Sequence, residues 1–216
     1  MDNLQFTFGK FRNTPIKDVF ESNYYYVDWL VKQSWFQMRF NNEYKYCYDL
    51  ISKRKAFKNS DVINDQDIVI YTDGACKGNG KKNAKAGIGV HFSPKNIYKF
   101  NDISEPINVP KPSNNIAELQ AILTALRILK EYSNKIIIYT DSEYCINCIT
   151  KWFPQWVTQK KLNGKQNIDL IRPIYQYYLA KELEFRHVKS HTGLQDEHSL
   201  GNQQADYLAN CSLLEK

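Results

Sequence analysis

Two short apolar runs in this chain of 216 residues continue into the same polar pair. Residues 68–73 read Ile-Val-Ile-Tyr-Thr-Asp, and residues 136–141 read Ile-Ile-Ile-Tyr-Thr-Asp. Runs rich in β-branched residues predict strands that are buried on both faces. Ligand sites in open α/β sheets gather at the carboxyl ends of such strands. If the two strands are parallel neighbours, spaced by ~4.8 Å, the carboxylates of Asp73 and Asp141 lie side by side.

The segments around these two runs predict an α/β architecture. Residues 86–92 alternate and indicate a second strand, and residues 97–100 are a candidate third strand before a proline-containing loop. Asn114 is expected to cap a helix. The later elements expected are a helix from Ser142 to about Trp152, a helix over 168–180, a strand over 183–188 and a closing helix over 202–214. Strands first, then alternating helices and strands, predict a mixed sheet flanked by helices.

The first fifty residues differ from the rest in composition. They are rich in Phe, Tyr and Trp, and Ser22 is expected to cap a helix within them. Residues 52–61 are polar and charged and lack apolar periodicity, which indicates a linker or a helix end running into one. We therefore expect a small aromatic-rich accessory domain at 1–51, a linker at 52–66 and a larger domain at 67–216.

Composition and charge exclude several classes of protein. With 43% apolar and 24% charged residues, the chain is typical of a soluble globular protein rather than a disordered or fibrous one. Residues 1–60 hold ten Lys and Arg against six Asp and Glu, so +4 of the net charge of +6 lies there and hints at a polyanionic partner. The polar start lacks a signal-peptide layout, and no apolar run approaches the ~20 residues of a membrane span.

The cysteines indicate a cellular compartment. Their number, five, is odd, so we expect a reducing environment rather than a secreted disulfide framework. The predicted location is intracellular, cytoplasmic or nuclear, with no secretion signal and no membrane association. Cys145 and Cys148 form a lone CxxC, which we interpret as two small apolar residues one turn apart on a helix.

Two further acids lie in suggestive settings. Glu118 falls in the first turns of an otherwise apolar helix, and Asp206 falls between apolar residues of the last helix. An acid in either setting, taken alone, is more often a boundary residue that forms a cap or a salt bridge. Together with Asp73 and Asp141 they would form a four-carboxylate site, and an oxygen-only ligand set favours Mg²⁺ or Mn²⁺.

Four sequence blocks in order carry a resemblance to a known family. They are Tyr71-Thr72-Asp73-Gly74, Ala117-Glu118-Leu119-Gln120-Ala121, Tyr139-Thr140-Asp141-Ser142 and Gly201-Asn202-Gln203-Gln204-Ala205-Asp206, with His191-Thr192-Gly193 ahead of the last. Over about residues 67–214 the chain resembles a type 1, cellular ribonuclease H. The resemblance implies a five-stranded mixed sheet with helices on both faces, and endonucleolytic cleavage of the RNA strand of an RNA–DNA hybrid, leaving 5′-phosphate and 3′-hydroxyl ends.

The resemblance also assigns roles to individual residues. The implied metal ligands are Asp73, Glu118, Asp141 and Asp206, which would hold two Mg²⁺ ions, with Mn²⁺ able to substitute. His191 matches a mobile histidine that assists proton transfer or product release. The residues expected to read the RNA 2′-hydroxyl are Asn79, Asn114 and Asn115. The residues expected to bind the DNA strand are Ser113, Tyr144, Trp152, Trp156, Lys160, Lys161 and Asn167.

The chain departs from the family pattern at several places. Residues 111–115 read Lys-Pro-Ser-Asn-Asn where the family often has Arg-x-Thr before Asn-Gln, and Gln203 replaces a usual Glu. About five extra residues, His198 among them, separate Gly193 from Gly201. The segment 1–51 weakly resembles a short module appended to some exonucleases rather than the family's usual hybrid-binding domain. Its expected role is docking to nucleic acid or to a replication or repair protein, with a purely structural extension as the alternative.

The function predicted from all of this is that of a metal-dependent, monomeric ribonuclease H whose partner is an RNA–DNA hybrid. Two alternatives stay open at this point. One is a non-catalytic hybrid-binding protein on the same fold, although such a protein does not need four acids. The other is a different nuclease of the same superfold, such as a resolvase or an exonuclease.

Overall fold

The computed structural model describes residues 4–58 and 66–214. The chain divides into two compact units, Met1–Ile63 and Asn64–Lys216. Within the described residues the first unit is helical and the second contains a five-stranded sheet. The predicted linker, 52–66, begins inside a helix that continues to Lys58, and its residues 59–65 lie outside the described part of the chain.

The N-terminal unit packs short helices around an aromatic core. Its helices are α1 (Ile16–Ser22), α2 (Tyr24–Leu30), α3 (Ser34–Arg39) and α4 (Asn41–Lys58). Phe6 and Phe36 are fully buried, and the ring of Phe8 stacks on that of Phe40 at 4.0 Å between centroids. The expectation that Ser22 caps a helix is wrong. Ser22 is instead the last residue of α1, and its hydroxyl donates to the Asp18 carbonyl. The residue that precedes α2 is Asn23.

The larger unit alternates strands and helices as the sequence predicts. Its elements are β1 (Ile68–Lys77), β2 (Lys85–Phe92), β3 (Ile103–Ile107), α5 (Asn114–Ile128), β4 (Ile136–Thr140), α6 (Glu143–Asn147), a π-helical turn (Cys148–Trp152), α7 (Phe153–Thr158), α8 (Ile168–Ala180), β5 (Leu183–His187) and α9 (Glu197–Cys211). The strand order is β3-β2-β1-β4-β5. β1 is antiparallel to β2 and parallel to β4, and β4 is parallel to β5. The predicted mixed sheet is therefore confirmed.

Helices cover both faces of this sheet. A side chain at Gly74 would come within 2.2 Å of the α5 backbone at Glu118, whereas a side chain at Gly201 of α9 would come within 2.4 Å of the Tyr71 ring. Because positions 71 and 74 of a strand point to opposite faces, α5 and α9 lie on opposite sides. On β2, a side chain at Gly89 would lie 1.9 Å from the Ala205 carbonyl oxygen. Glycine at these positions lets both helices approach the sheet closely.

The third strand lies where the sequence predicted a loop. Residues 97–100 are not a strand; the rings of Tyr98 and Phe100 pack instead against Tyr132, at 4.8 and 5.4 Å between centroids. The strand is β3, five residues that include Pro106. A proline is tolerated there because β3 is an edge strand, where a missing N–H removes no ladder bond.

Two helix starts also differ from expectation. The cap of α5 is Ser113, whose hydroxyl accepts from the Ile116 N–H at 3.3 Å, and Asn114 is the first residue of the helix. The last helix begins five residues earlier than predicted, at Glu197, because Asp196 caps it by accepting from His198 N and Ser199 N. The extra residues between Gly193 and Gly201 thus lengthen α9, and His198 lies in its first turn.

Within residues 4–58 and 66–214, no helix is both long enough and apolar enough to cross a membrane.

Candidate metal centre

Three carboxylates meet where β1 and β4 separate. Tyr71 is paired with Tyr139 in the parallel ladder, so Asp73 and Asp141 follow two residues later on neighbouring strands. Glu118, one turn into α5, joins them from the helix that packs against Gly74. One oxygen of each carboxylate lies within 4.8 Å of the others. The strand β1 does not end at Asp73, as the sequence suggested, but continues to Lys77 as a hairpin arm with β2.

Burial and neighbouring charge raise the pKa values of two of these carboxylates, Asp73 and Glu118. Asp73 is 7% exposed, and burial, followed by the charge of Asp141, raises its pKa from 3.8 to about 7, although the Gly74 N–H opposes the shift. Burial and the charges of Asp73 and Asp141 raise the pKa of Glu118 well above its usual value. A cation between the carboxylates would reverse these shifts, since an opposite charge nearby favours the ionised form.

The residues present fit a divalent cation. Glu118 Oε2 is buried, and no hydrogen-bond partner for it exists among the described residues. A buried carboxylate oxygen without a donor is costly unless some other group satisfies it. The donor set consists of carboxylate oxygens, which are the ligands that Mg²⁺ and Mn²⁺ prefer.

Asp206, the fourth predicted ligand, lies beside this cluster rather than within the group of three. Its charge contributes to the raised pKa of Asp73, and its Oδ1 accepts from Asn210 Nδ2 at 2.9 Å. Asp206, Asp141 and His191 line one cavity of about 90 Å³. His191 is exposed and has a positive φ of 50°. Because it shares the cavity with Asp141 and Asp206, its loop lies at the rim of the carboxylate cluster.

A row of rings runs beside the same end of β4. Asn167 Nδ2 donates to the Tyr144 hydroxyl at 2.9 Å, and the Tyr144 ring meets Trp152 at 6.0 Å between centroids. Trp152 stacks on Trp156 at 6.5 Å, and Lys165 Nζ lies 4.8 Å from the Trp156 ring centroid. The π-helical turn that ends at Trp152 interrupts the α-helical spacing within this row, and such turns are frequent at functional sites. We call Tyr144, Trp152, Trp156 and Lys165 the aromatic row.

The remaining predicted residues are dispersed around the cluster. Asn79 is exposed between two glycines in the turn after β1, and Asn114 and Asn115 are exposed in the first turn of α5, which also carries Glu118. The hydroxyl of Ser113 is engaged in the cap of that helix. Lys160 and Lys161 are exposed just after α7, near the end of the aromatic row.

Sequence reasoning assigned no role to two polar residues of α9. Asn202 is 3% exposed and lines the cavity with Asp206; its Oδ1 has no hydrogen-bond partner within residues 4–58 and 66–214. Both ring nitrogens of His198 are engaged with strand tyrosines. The one sequence feature that could have singled out His198 is its position in the extra residues before Gly201.

The fold and the carboxylate cluster together define an α/β protein of the ribonuclease H-like kind, with a candidate cation site where two parallel strands separate. Residues 65–213 match the RNase H family. The chain belongs to that family.

Relatives and solved structures agree with this assignment. A probable ribonuclease H of Acanthamoeba polyphaga mimivirus is 37% identical over 144 residues, which make up 62% of this chain and 60% of that protein. A ribonuclease H of Schizosaccharomyces pombe is 38% identical over 148 residues, 65% of this chain and 51% of that protein. The chain therefore matches only about half to three fifths of the length of these relatives. The solved PFV RNase H domain superposes with a TM-score of 0.55 at 26% identity, covering 67% of this chain and 93% of that domain.

Proposed function

We propose that this protein is an endonuclease that hydrolyses the RNA strand of RNA–DNA hybrids and leaves 5′-phosphate and 3′-hydroxyl ends. The observation that carries the proposal is the cluster of Asp73, Glu118 and Asp141, with carboxylate oxygens within 4.8 Å of one another, in a member of the RNase H family. Non-catalytic hybrid binding is the weaker alternative, because a binder of a polyanion gains nothing from buried acids.

The proposed roles of the residues follow from their chemistry. Asp73, Glu118, Asp141 and Asp206 would hold two Mg²⁺ ions, or Mn²⁺ in their place. Two such ions about 3.5–4 Å apart supply an activated water and stabilise the leaving oxygen of a phosphodiester. His191, on the rim of the cavity, is proposed to move a proton or to assist product release. Serine, cysteine or threonine as a covalent nucleophile is not needed.

Recognition of the hybrid is assigned to two groups of residues. Asn79, Asn114 and Asn115 have side-chain amides that both donate and accept, as a partner of the RNA 2′-hydroxyl must. The aromatic row, with Asn167 at one end and Lys160 and Lys161 near the other, offers ring faces and cations to the sugars and phosphates of the DNA strand. Ser113, at the cap of α5, is proposed to contribute to a phosphate pocket.

A cleavage assay separates the proposed function from its alternatives. The purified chain is incubated with labelled RNA–DNA hybrid, duplex RNA and duplex DNA, in Mg²⁺, in Mn²⁺ and in chelator. The proposal requires metal-dependent cleavage of the hybrid and little cleavage of the other substrates. Binding of hybrid without cleavage in either metal would favour the non-catalytic reading, and cleavage of duplex DNA would favour another nuclease of the superfold.

Removing two cations beside the aromatic row is expected to weaken hybrid binding. In the double variant Lys160→Ala/Lys161→Ala, the slope of log affinity against log salt should fall by about one to two, since each phosphate contact releases about one counterion. The Michaelis constant for hybrid should rise several-fold at low salt while turnover at saturation is kept. The measurements are hybrid affinity and steady-state kinetics across a range of salt concentrations.

The matched control is Lys99→Ala/Lys130→Ala, which removes the same charge elsewhere in the larger unit. Lys99 follows Tyr98 and Lys130 precedes Tyr132 by two residues, and these two rings meet beyond the end of α5 that is opposite to Glu118. We expect this control to keep the wild-type salt slope. Equal slopes in both double variants would argue against a DNA-strand role for Lys160 and Lys161.

We further propose that the N-terminal unit binds nucleic acid. Lys10 Nζ lies 5.2 Å from the Phe11 ring centroid, Phe11 meets Tyr26 at 4.9 Å, and Tyr26 meets Trp29 at 6.2 Å. Trp29 is 48% exposed, and Lys10 and Arg12, which flank Phe11 in sequence, are also exposed. Exposed rings next to cations are the pattern that binds bases and phosphates. Docking to a replication or repair protein, or a structural extension, are the alternatives.

Charge removal tests the N-terminal proposal in the full chain. Lys10→Ala/Arg12→Ala should lower hybrid affinity roughly two- to tenfold at low salt and reduce the salt slope by about one to two, with saturated turnover unchanged. The control is Lys32→Ala/Lys53→Ala, since Lys32, just after α2, pairs with Asp28 at 2.5 Å, and Lys53 pairs with Asp49 of the same helix at 2.7 Å. If Lys10→Ala/Arg12→Ala has the same hybrid affinity and the same salt slope as wild type, the N-terminal unit does not bind nucleic acid through these residues. Protein docking and a structural extension would then be the roles left for the unit.

Monomeric state and an intracellular, cytoplasmic or nuclear location stay predictions. The five cysteines are free thiols in the structure.

A further inference from the structure

A row of four side chains crosses the sheet on the face that α9 covers. His91, Tyr71, Tyr139 and Arg186 stand directly opposite one another on β2, β1, β4 and β5. The rings of His91 and Tyr71 are 5.7 Å apart and those of Tyr71 and Tyr139 are 5.3 Å apart, with interplanar angles of 25° and 26°. Arg186 donates from Nη1 to the Tyr139 hydroxyl at 3.1 Å.

His198, in the first turn of α9, lies on this row and contacts both tyrosines. Its Nδ1 is 3.0 Å from the Tyr71 hydroxyl and its Nε2 is 3.1 Å from the Tyr139 hydroxyl. Its ring stacks on that of Tyr139 at 4.1 Å between centroids and 15° between planes. Burial lowers the pKa of His198, which favours the neutral ring with one donor and one acceptor nitrogen. Arg186 donates to the Tyr139 oxygen, so the Tyr139 hydroxyl can donate its own proton to Nε2. The proton of the neutral ring is then on Nδ1, which can donate to the Tyr71 hydroxyl.

The two tyrosines connect His198 to the carboxylate cluster. Tyr71 precedes Asp73 by two residues on β1, and Tyr139 precedes Asp141 by two residues on β4. On the helix side, Gly201 lies so close to Tyr71 that a side chain there would meet its ring at 2.4 Å. Asp206 follows on the same helix, about 12 Å beyond His198 at 1.5 Å per residue.

The same turn also anchors the loop of His191. Asp196 Oδ1 accepts from the backbone N–H groups of His198 and Ser199, each at 3.1 Å. The Ser199 hydroxyl donates to Asp196 Oδ2 at 2.7 Å, and the Thr192 hydroxyl donates to Ser199 Oγ at 3.3 Å. The residue after His191 is thus tied to the turn that His198 holds on the sheet.

We propose that His198 is a positioning residue that sets α9 against β1 and β4, and thereby places Asp206 and the His191 loop at the carboxylate cluster. An apolar ring at position 198 would pack on Tyr139, but the Tyr71 hydroxyl would lose its contact with Nδ1 and the Tyr139 hydroxyl would keep only Arg186. The rotation of α9 would then be less restrained. This assignment rests on the proposed metal-dependent function of the cluster. It gives the extra residues before Gly201 a purpose, which is to supply a turn that clamps the last helix.

The variant His198→Phe tests the proposal, because it keeps a stacking ring and removes both hydrogen bonds. Mn²⁺ binding to the full chain, without nucleic acid, is measured by electron paramagnetic resonance, and hybrid cleavage is measured at saturating Mg²⁺. We expect roughly a tenfold weaker Mn²⁺ affinity and a roughly tenfold lower turnover, which is the usual effect of losing a residue that orients metal ligands. The Michaelis constant for hybrid should change less than about twofold. His198→Gln, which retains a donor and an acceptor, should recover a large part of both losses.

Tyr71→Phe by itself is the second test if His198→Phe folds poorly: Mn²⁺ affinity should fall several-fold, and wild-type Mn²⁺ affinity in folded Tyr71→Phe protein would overturn the proposal. Where His198→Phe does fold, the two changes form a double-mutant cycle. Tyr71→Phe removes the hydroxyl that faces Nδ1 and keeps the ring, so its effect on Mn²⁺ affinity should not add to that of His198→Phe. Additive effects, or wild-type Mn²⁺ affinity in a folded His198→Phe protein, would overturn the proposal. If wild-type protein binds Mn²⁺ but cleaves no hybrid, the proposed function fails while the Mn²⁺ comparison still decides the role of His198.

Discussion

In the variant Asp73→Asn, cleavage of RNA–DNA hybrid in Mg²⁺ is expected to fall at least about 10³-fold, with hybrid affinity within about threefold of wild type. Asp73 is buried, lies within 4.8 Å of two other carboxylates, and contributes one of their negative charges. An amide keeps the shape of the side chain but not its charge. Metal-assisted stabilisation of a phosphodiester transition state is worth several kcal/mol, and each 1.36 kcal/mol is about a factor of ten in rate.

The measurement pairs single-turnover cleavage with hybrid binding in the same buffer. The control is Asp49→Asn, the same chemical change at an exposed carboxylate of α4 that pairs with Lys53. Asp49→Asn should cleave hybrid as wild type does, and circular dichroism should show both variants folded. Full turnover in folded Asp73→Asn protein would remove this residue from the proposed metal ligands.

The strands and acids of this site could be predicted because local sequence determines them. The β-branched runs before Asp73 and Asp141 have only one buried extended arrangement, and parallel pairing of β1 with β4 then places both acids together. Glu118 and Asp206 needed the family resemblance, since a single acid on an amphipathic helix is compatible with several roles. The structure adds the reason for Glu118, which is the close approach of α5 to β1 over Gly74.

The elements that the sequence did not predict depend on tertiary partners. Tyr98 and Phe100 have the alternation of a strand, but their rings pack on Tyr132 at the end of the α5 segment, and the chain pairs with β2 only from Ile103. His198 is similar: nothing local indicates that two tyrosines, 127 and 59 residues away in sequence, bind its two nitrogens. Contacts between residues so far apart in sequence form only when the sheet has folded, and the sequence around either residue does not indicate them.

The stability of the metal-free protein is expected to fall as pH rises from about 4 to 8, and Asp73→Asn is expected to remove much of that fall. Asp73 has a pKa of about 7 in the folded protein against 3.8 ordinarily. At pH values between these two pKa values, Asp73 is protonated in the folded state and ionised in the unfolded chain. The contribution of Asp73 to folding stability is therefore complete below about pH 4 and is lost as the pH rises past about 7. Because Glu118 shares the site and its pKa is also raised, the loss belongs to the pair.

At pH 8 in chelator, Asp73→Asn should therefore be more stable than wild type by on the order of 2 kcal/mol, and the gain should disappear near pH 4.5. Amide hydrogen exchange of residues 68–71 is a suitable probe, because it reports the larger unit and not the N-terminal one. Asp49→Asn should stay within about 0.5 kcal/mol of wild type at both pH values. Mg²⁺ should stabilise wild type at pH 8 and Asp73→Asn much less, since the cation replaces the missing protons only where the carboxylates can bind it. If Asp73→Asn is no more stable than wild type at pH 8, the carboxylates do not repel one another as proposed. The predicted gain in stability means that the cluster of negative charge proposed for cleavage destabilises the fold when no cation is bound.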